Sequence, residues 1–475
     1  MRRFFPGLFL VCTSALGAGA PGRVAAQRPE LAPAVREYLA VSAPVVALTH
    51  VRVIDGTGAP PRDDQTIVLR DGRIEAAGAR ASITIPPDAQ VIELAGHTVI
   101  PGLVGLHEHT WLGGIRTFTP MTHAPLLYLA AGVTTALTAG SMMPYHELGL
   151  KRAIDAGTLP GPRLHVTGPY LTGFGGAGSS MRVVTSAEEA RRVVDYWAAE
   201  GATWLKVMNG PGATVRAVVD AAQKRNLRVT GHLCSVTFAE AAKLGVQLLQ
   251  HGFITASEYV PGKQPDVCPR ENQRAQADVD PGSAAVQASI AQLAVSGAAV
   301  VSTLGVYESF VPERARLDTA ALAMLTPELR AEIESNHAQL AGSGFVVPPR
   351  LIERMMQWER AFVAAGGLLG AGSDPWGTGF MPGWGNLRNY ELLLEAGFTA
   401  PEAVRIMTQN GARILGEEGE RGSVEPGLRA DLVVLRGDPA ADPSHIYRTV
   451  LVFRDGYGYD PAKLRDAVRG KLGGS

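Results

Sequence analysis

Two imidazoles, His107 and His109, close the apolar run Pro101-Gly102-Leu103-Val104-Gly105-Leu106. On an extended strand, residues two apart face the same side about 7 Å apart, so both rings can point at one place while Glu108 points away. Two converging imidazoles suit a divalent cation. A lone His-x-His pair is a weak signal, but four further apolar runs also end in a group able to bind metal. These are Lys206 after Trp204-Leu205, His232 after Val229-Thr230-Gly231, His251 after Leu249-Gln250, and Asp374 after Ala371-Gly372-Ser373.

Six such groups act together only if their strands deliver them to one place. The middle of the chain alternates short apolar runs, of the kind that form buried parallel strands, with helical patterns. Strands are expected to end near His107, Thr138, Thr167, Val207, His232, His251, Ser302 and Asp374, with helices such as 186–200, 215–225 and 238–244 between them. Eight such units predict an α/β fold, a (β/α)8 TIM barrel, whose strand ends converge on the face where such folds place their sites. Residues 258–289 and 312–356 exceed ordinary connections and are expected to cover the barrel mouth.

The flanks read differently. Residues 45–100 carry short alternating strands split by Asp-Gly turns at 55–56 and 71–72, and the texture returns at 430–435 and 449–453 before Asp455-Gly456. Each half is too small to fold alone, which predicts one small β-sandwich domain built from N- and C-terminal segments. The expected organisation is a signal peptide over 1–26, a composite β-domain from 45–100 plus 416–460, and a barrel over 101–415.

The order His-x-His, Lys, His, His, Asp on barrel strands, with a split β-domain at the termini, resembles the amidohydrolase superfamily. It is most similar to the branch containing imidazolonepropionase-like proteins and metal-dependent dipeptidases, and the likeness covers nearly all of 45–460. The resemblance implies that His107, His109 and Asp374 hold one divalent metal ion and His232 and His251 a second, with Lys206 bridging both as N6-carboxylysine. A lysine facing a closed cavity between cations loses its proton readily, which leaves an amine able to capture carbon dioxide. The implied chemistry is hydrolysis of a C-N bond in a small amide, lactam or peptide-like substrate by a metal-bridging hydroxide, with Asp374 as the catalytic proton carrier. Nitrogen and oxygen ligands of this kind fit zinc, with manganese, cobalt or nickel as alternatives.

The chain also departs from the family. Gly105 stands where relatives commonly have Asp two residues before the first metal His, so a supporting contact is expected to be missing. Ser235 stands where deaminase branches carry a catalytic Glu, which counts against a deaminase. The segment 168–178 replaces the Gly-Gly-His of dipeptidase relatives, which puts dipeptide specificity in doubt. Within it Gly173, Gly175 and Gly178 match G-x-G-x-x-G, but no helix follows directly, so a substrate-side loop is expected instead of a dinucleotide site. Tyr170, Tyr307 and Trp376 follow strand ends and are candidate substrate contacts, although aromatic packing explains each as well. His165 is expected to be a hydrogen-bonded core residue. Two other readings stay open: a mononuclear hydrolase of the same fold without lysine carboxylation, and a non-catalytic extracytoplasmic metal- or ligand-binding protein.

Composition sets the remaining bounds. At 475 residues, 46% hydrophobic and 19% charged, the chain is globular and not disordered, fibrous or coiled-coil. Lys and Arg total 44 against 45 Asp and Glu with no dense basic block, which excludes a general electrostatic grip on nucleic acid. The start, Arg2-Arg3-Phe4-Phe5, then an apolar stretch and Val24-Ala25-Ala26, has the order of a secretory signal, by the general or the twin-arginine route. Its apolar run is too short for a membrane span. An exported protein, periplasmic or secreted, with no stable membrane span after signal removal is expected; its oligomeric state is left open, a homo-oligomer included. Cys12 falls in the signal, and the remaining pair, Cys234 and Cys268, is expected to form a disulfide in an oxidising compartment.

Overall fold

The computed structural model describes residues 28–113, 118–173, 181–269, 272–342, 346–376 and 379–474. The expected signal over 1–26 and the glycines at 175 and 178 lie outside the described residues. Among those described, no helix is long and apolar enough to cross a membrane.

Both ends of the chain contribute to a nine-stranded sheet. Its N-terminal strands are β1 (Leu39–Val41), β2 (Val45–Val53), β3 (Arg62–Arg70), β4 (Arg73–Ala79), β5 (Gln90–Glu93) and β6 (His97–Pro101). The middle of the chain supplies β7 (Leu103–Glu108), β8 (Trp111–Gly113), β9 (Phe118–Pro120), β10 (Val133–Thr138), β11 (Arg163–Val166), β12 (Tyr170–Thr172) and β13 (Arg182–Val183). It continues with β14 (Trp204–Met208), β15 (Arg228–His232), β16 (Leu248–Gln250), β17 (Ala299–Ser302) and β18 (Leu369–Ala371). The C-terminal strands are β19 (Leu432–Arg436), β20 (Thr449–Arg454) and β21 (Tyr457–Tyr459).

The terminal sheet runs β1-β21-β20-β19-β6-β2-β3-β4, with β5 on β2, so β19 pairs β6 across more than three hundred residues. The Asp-Gly pairs turn two of its hairpins. Asp71 and Gly72 have φ of 48° and 85°, and Asp455 and Gly456 have 50° and 74°, the left-handed pair that a tight hairpin turn needs. Alternate residues of the strands, including Val46, Leu48, Ile67, Leu69, Val99 and Leu432, fill a separate small core. Hydrogen bonding runs continuously through all nine strands.

The second sheet has ten strands, all parallel, in the order β11-β10-β7-β18-β17-β16-β15-β14-β12-β13. Strands such as Ala299–Ser302 are buried throughout, as parallel strands covered on both faces must be. Helices separate them. Ala187–Glu200 is capped by Ser186 and stopped by Gly201 at φ 105°, and Phe238–Leu244 opens on a reciprocal Thr237/Glu240 cap and stops at Gly245 at φ 94°. Of the long stretches expected to cover the barrel mouth, the second is largely helical, with Thr319–Leu322, Pro327–Ala338 and the start of Pro349–Ala364, while the first is mostly irregular around Asn272–Ala277 and the start of Ala284–Ser296. Arg163 on β11 donates to Asp455 at 2.9 Å, which ties the parallel sheet to the terminal one.

Candidate metal centre

The strand ends deliver the six sequence-selected groups to one cavity of about 210 Å³, lined by His107, His109, Lys206, His232, His251 and Asp374. Tyr170, Tyr307 and Trp376 border the same cavity. The ligand atoms of His107, His109 and Asp374 lie within 4.8 Å of one another. Asp374 Oδ1 is 3.1 Å from His109 Nε2 and 3.5 Å from His107 Nε2, and its Oδ2 is 3.8 Å from His251 Nδ1. The His251 ring is 4.6 Å from that of His107 and 4.6 Å from that of His232.

Neighbours fix the orientation of two of these rings, His107 and His251. His107 Nδ1 lies 2.6 Å from Gln250 Oε1, and Gln250 Nε2 donates in turn to Thr230 Oγ1 at 2.7 Å. His251 Nδ1 is 2.9 Å from Thr303 Oγ1. Such partners set the tautomer and aim the other ring nitrogen into the cavity. The Tyr128 hydroxyl donates to the His109 carbonyl at 2.9 Å and holds that stretch of backbone. His251 and Asp374 adopt φ of 70° and 48°, left-handed values that non-glycine residues rarely take and that gather at functional sites.

Burial governs the charge of the group. It drives His107 and His251 well below the usual imidazole range, and with the Lys206 charge it brings His232 to about 3. Burial also lowers the Lys206 ammonium to about 7, against the opposing pull of Asp374. Neutral imidazoles, a carboxylate and an amine that sheds its proton near neutrality form a donor set that a divalent cation requires.

Gly105 has no carboxylate of its own, yet a Cβ there would lie 2.2 Å from Glu108 Oε1, so the Glu108 carboxylate occupies the space beside it. Oε1 accepts from the Ser373 backbone N–H at 3.1 Å and from Asn386 Nδ2 at 2.7 Å, and Oε2 accepts from Ser373 Oγ. The Asp374 backbone N–H then donates to the His107 carbonyl at 2.7 Å. Glu108 therefore fixes Ser373, the residue next to Asp374. The sequence assigns Glu108 no role; its position between two candidate ligands at the end of an otherwise apolar strand is the available signal.

Cys234 and Cys268 form a disulfide with Cα atoms 4.8 Å apart, and it anchors the 258–269 segment two residues beyond His232. His165 Nε2 is 3.2 Å from Glu417 Oε1, outside the cavity, in keeping with a hydrogen-bonded structural role.

Imidazoles, a lysine and an aspartate thus meet at one rim of a parallel sheet, a set of donors able to hold a divalent cation. Residues 360–457 match the model of a family described as the amidohydrolase family. A deacetylase of Agrobacterium fabrum is 36% identical over 103 residues, 21% of this chain and 24% of that protein, so the match spans about a quarter of the relative. Among solved structures, a bottromycin amidohydrolase superposes with TM-score 0.70 at 22% identity, covering 94% of this chain and 97% of the other. A Xaa-Pro dipeptidase with methionine bound in its active site superposes with TM-score 0.64 at 20% identity, covering 88% and 100%. The resemblance to the amidohydrolase superfamily read from the strand-end residues is thus borne out.

Proposed function

We propose that this protein is an exported hydrolase that cleaves a C-N bond in a small amide, lactam or peptide-like substrate. The observation that carries the reading is the meeting of His107, His109, Lys206, His232, His251 and Asp374 around one cavity. His107, His109 and Asp374 would hold one divalent ion, zinc fitting best, and His232 and His251 a second, with Lys206 carboxylated between them. Bound there, such ions lower the pKa of water and polarise a carbonyl. Asp374 would take a proton from the attacking water on its carboxylate and pass it to the leaving nitrogen as the C-N bond breaks and a C-O bond forms. The aromatic walls of Tyr170, Tyr307 and Trp376 would hold substrate and thin out bulk water. The structural likeness to an amidohydrolase and a dipeptidase and the partial likeness to a deacetylase support this class of bond.

The parallel sheet would close as the (β/α)8 barrel that such a centre needs, carrying the composite β-domain of 45–100 plus 416–460 at its side. Two observations support closure. Thr203, just before β14, donates its N–H to the Val166 carbonyl of β11 at 2.8 Å, across the two sides of the sheet order. Val104, Leu137, Trp204, Leu248 and Val301, from five different strands, also pack into one cluster. Export to the periplasm or beyond is supported by the signal-like start and the Cys234–Cys268 disulfide.

Metal analysis of purified protein and of Lys206→Ala tests the reading. About two equivalents per chain, reduced in the variant, together with turnover of an amide panel that Asp374→Asn abolishes while retaining metal, is the expected result. One equivalent that persists in Lys206→Ala favours the mononuclear alternative. Tight metal binding with no turnover over amides, lactams and dipeptides overturns the enzymatic reading in favour of a binding protein.

A further inference from the structure

The walls of the cavity carry information about the substrate that the ligand set does not. Beyond the six polar groups, its lining consists of Tyr170, Met208, Val306, Tyr307, Phe310 and Trp376. Every charged side chain among the described lining residues therefore belongs to the candidate metal cluster itself. Tyr170, Val306 and Tyr307 are buried, and Met208, Phe310 and Trp376 half-buried. Tyr307 stands edge-on to His251 at 5.4 Å, and Trp111 backs Trp376 at 6.3 Å and His109 at 4.4 Å. Aromatic rings thus reach from the ligand cluster to the cavity wall.

Two guanidinium groups near Tyr307, those of Arg314 and Arg388, are committed elsewhere. On the helix Leu304–Glu308, Tyr307 borders the cavity, while Glu308 takes Arg314 and Arg388, each at 2.8 Å. Arg314 also pairs with Glu395 at 2.7 Å and Arg388 with Glu391 at 2.7 Å. Neither is free to turn toward a substrate carboxylate without abandoning two ion pairs. A second ionised group on the substrate, away from the ligand cluster, would be desolvated against apolar walls and meet no opposite charge among the described lining residues.

We infer that this site takes substrates whose group beside the scissile bond is uncharged and apolar, aromatic or branched aliphatic, and discriminates against those bearing a free carboxylate there. The inference rests on the proposed metal-dependent reading, since the ligand cluster is what places the scissile bond. A ring would stack against Trp376 and Tyr307 with Met208 and Phe310 at its edges, and the two phenols would supply neutral hydroxyls to a substrate carbonyl. Free dipeptides, whose C-terminal carboxylate lies close to the cleaved bond, would be poor substrates.

Chelating probes separate the two readings. 3-Phenylpropanohydroxamic acid offers a headgroup that engages bound zinc, and its para-methyl and para-carboxylate derivatives differ in tail charge at similar size. Zinc content measured first on the full-length mature protein shows whether the ligand cluster is occupied; absence of zinc, manganese, cobalt and nickel alike is failure of the metal reading. With metal present, calorimetry should give the methyl probe at least about tenfold tighter binding than the carboxylate probe, about 1.4 kcal/mol. Phe310→Arg, which adds a cation to the wall, should narrow or reverse that ratio. Equal or tighter binding of the carboxylate probe by the unaltered protein, or no binding of either probe to metal-loaded protein, overturns the inference. Turnover follows separately: N-acetylphenethylamine should be cleaved faster than N-acetylphenylalanine, which differs only by the carboxylate.

Discussion

The contact between Gly105 and Glu108 allows a quantitative test of how the candidate centre is held. Gly105→Ala introduces a Cβ that would lie 2.2 Å from Glu108 Oε1, about 1 Å inside ordinary contact. The obstacle is the end of a side chain, but one with no freedom, because Oε1 already accepts from Ser373 N–H and Asn386 Nδ2 in a buried site. Moving it strands two buried donors at ~1–3 kcal/mol each, so the substitution should cost about 2–4 kcal/mol. Glu108→Ala should itself cost about 3 kcal/mol by leaving the same donors unpaired. In the double variant the added methyl meets an empty space, and Gly105→Ala should then cost under about 1 kcal/mol, a coupling of about 2–3 kcal/mol. Gly105→Asp in the Glu108→Ala background would return a carboxylate to the same space and should recover part of the loss. Chemical denaturation of the four proteins stripped of ions, so that ion binding adds nothing, reads the cycle. If Gly105→Ala costs the same with and without the Glu108 side chain, the reasoning from contact and hydrogen bonding is wrong.

Three other outcomes follow from particular contacts. Gln250→Leu removes the partner of His107 Nδ1 and should weaken metal affinity about 10- to 100-fold, read by competition with a chelator; unchanged affinity would refute an orienting role. Replacing both Cys234 and Cys268 by Ser opens a loop of 34 residues and should cost about 4 kcal/mol by chain entropy, measured as the shift in denaturation midpoint. Burial raises Glu359 to about 8, so the folded state holds its proton more tightly than the unfolded state. That contribution is full below about pH 4.5 and falls by ~1.4 kcal/mol per pH unit up to about 8. Glu359→Gln should therefore gain stability relative to the unaltered protein as pH rises from 5 to 8, and a constant difference across that range would rule the effect out.

Much of this protein was legible in the order of its residues because the informative features are local. Period-two apolar runs, Asp-Gly at 71–72 and 455–456, and the helical patterns over 186–200 and 238–244 depend on neighbours a few positions away, and the structure places strands, turns and helices there. The strand-end His, Lys and Asp residues were readable for the same reason, since parallel strands deliver their C-terminal ends to one side whatever the intervening loops do. The Cys234–Cys268 pair needed only that two thiols remained.

What tertiary structure decided is everything that depends on residues far apart in the chain. The pairing of β19 with β6 and the aromatic wall that Tyr170, Tyr307, Phe310 and Trp376 build together arise from long-range packing. Glu108 is the clearest case. Alternation along a strand says only that it faces away from His107 and His109, whereas its partners Ser373 and Asn386 lie more than 260 residues later. A buried carboxylate must find donors wherever the fold brings them, and no local pattern names them.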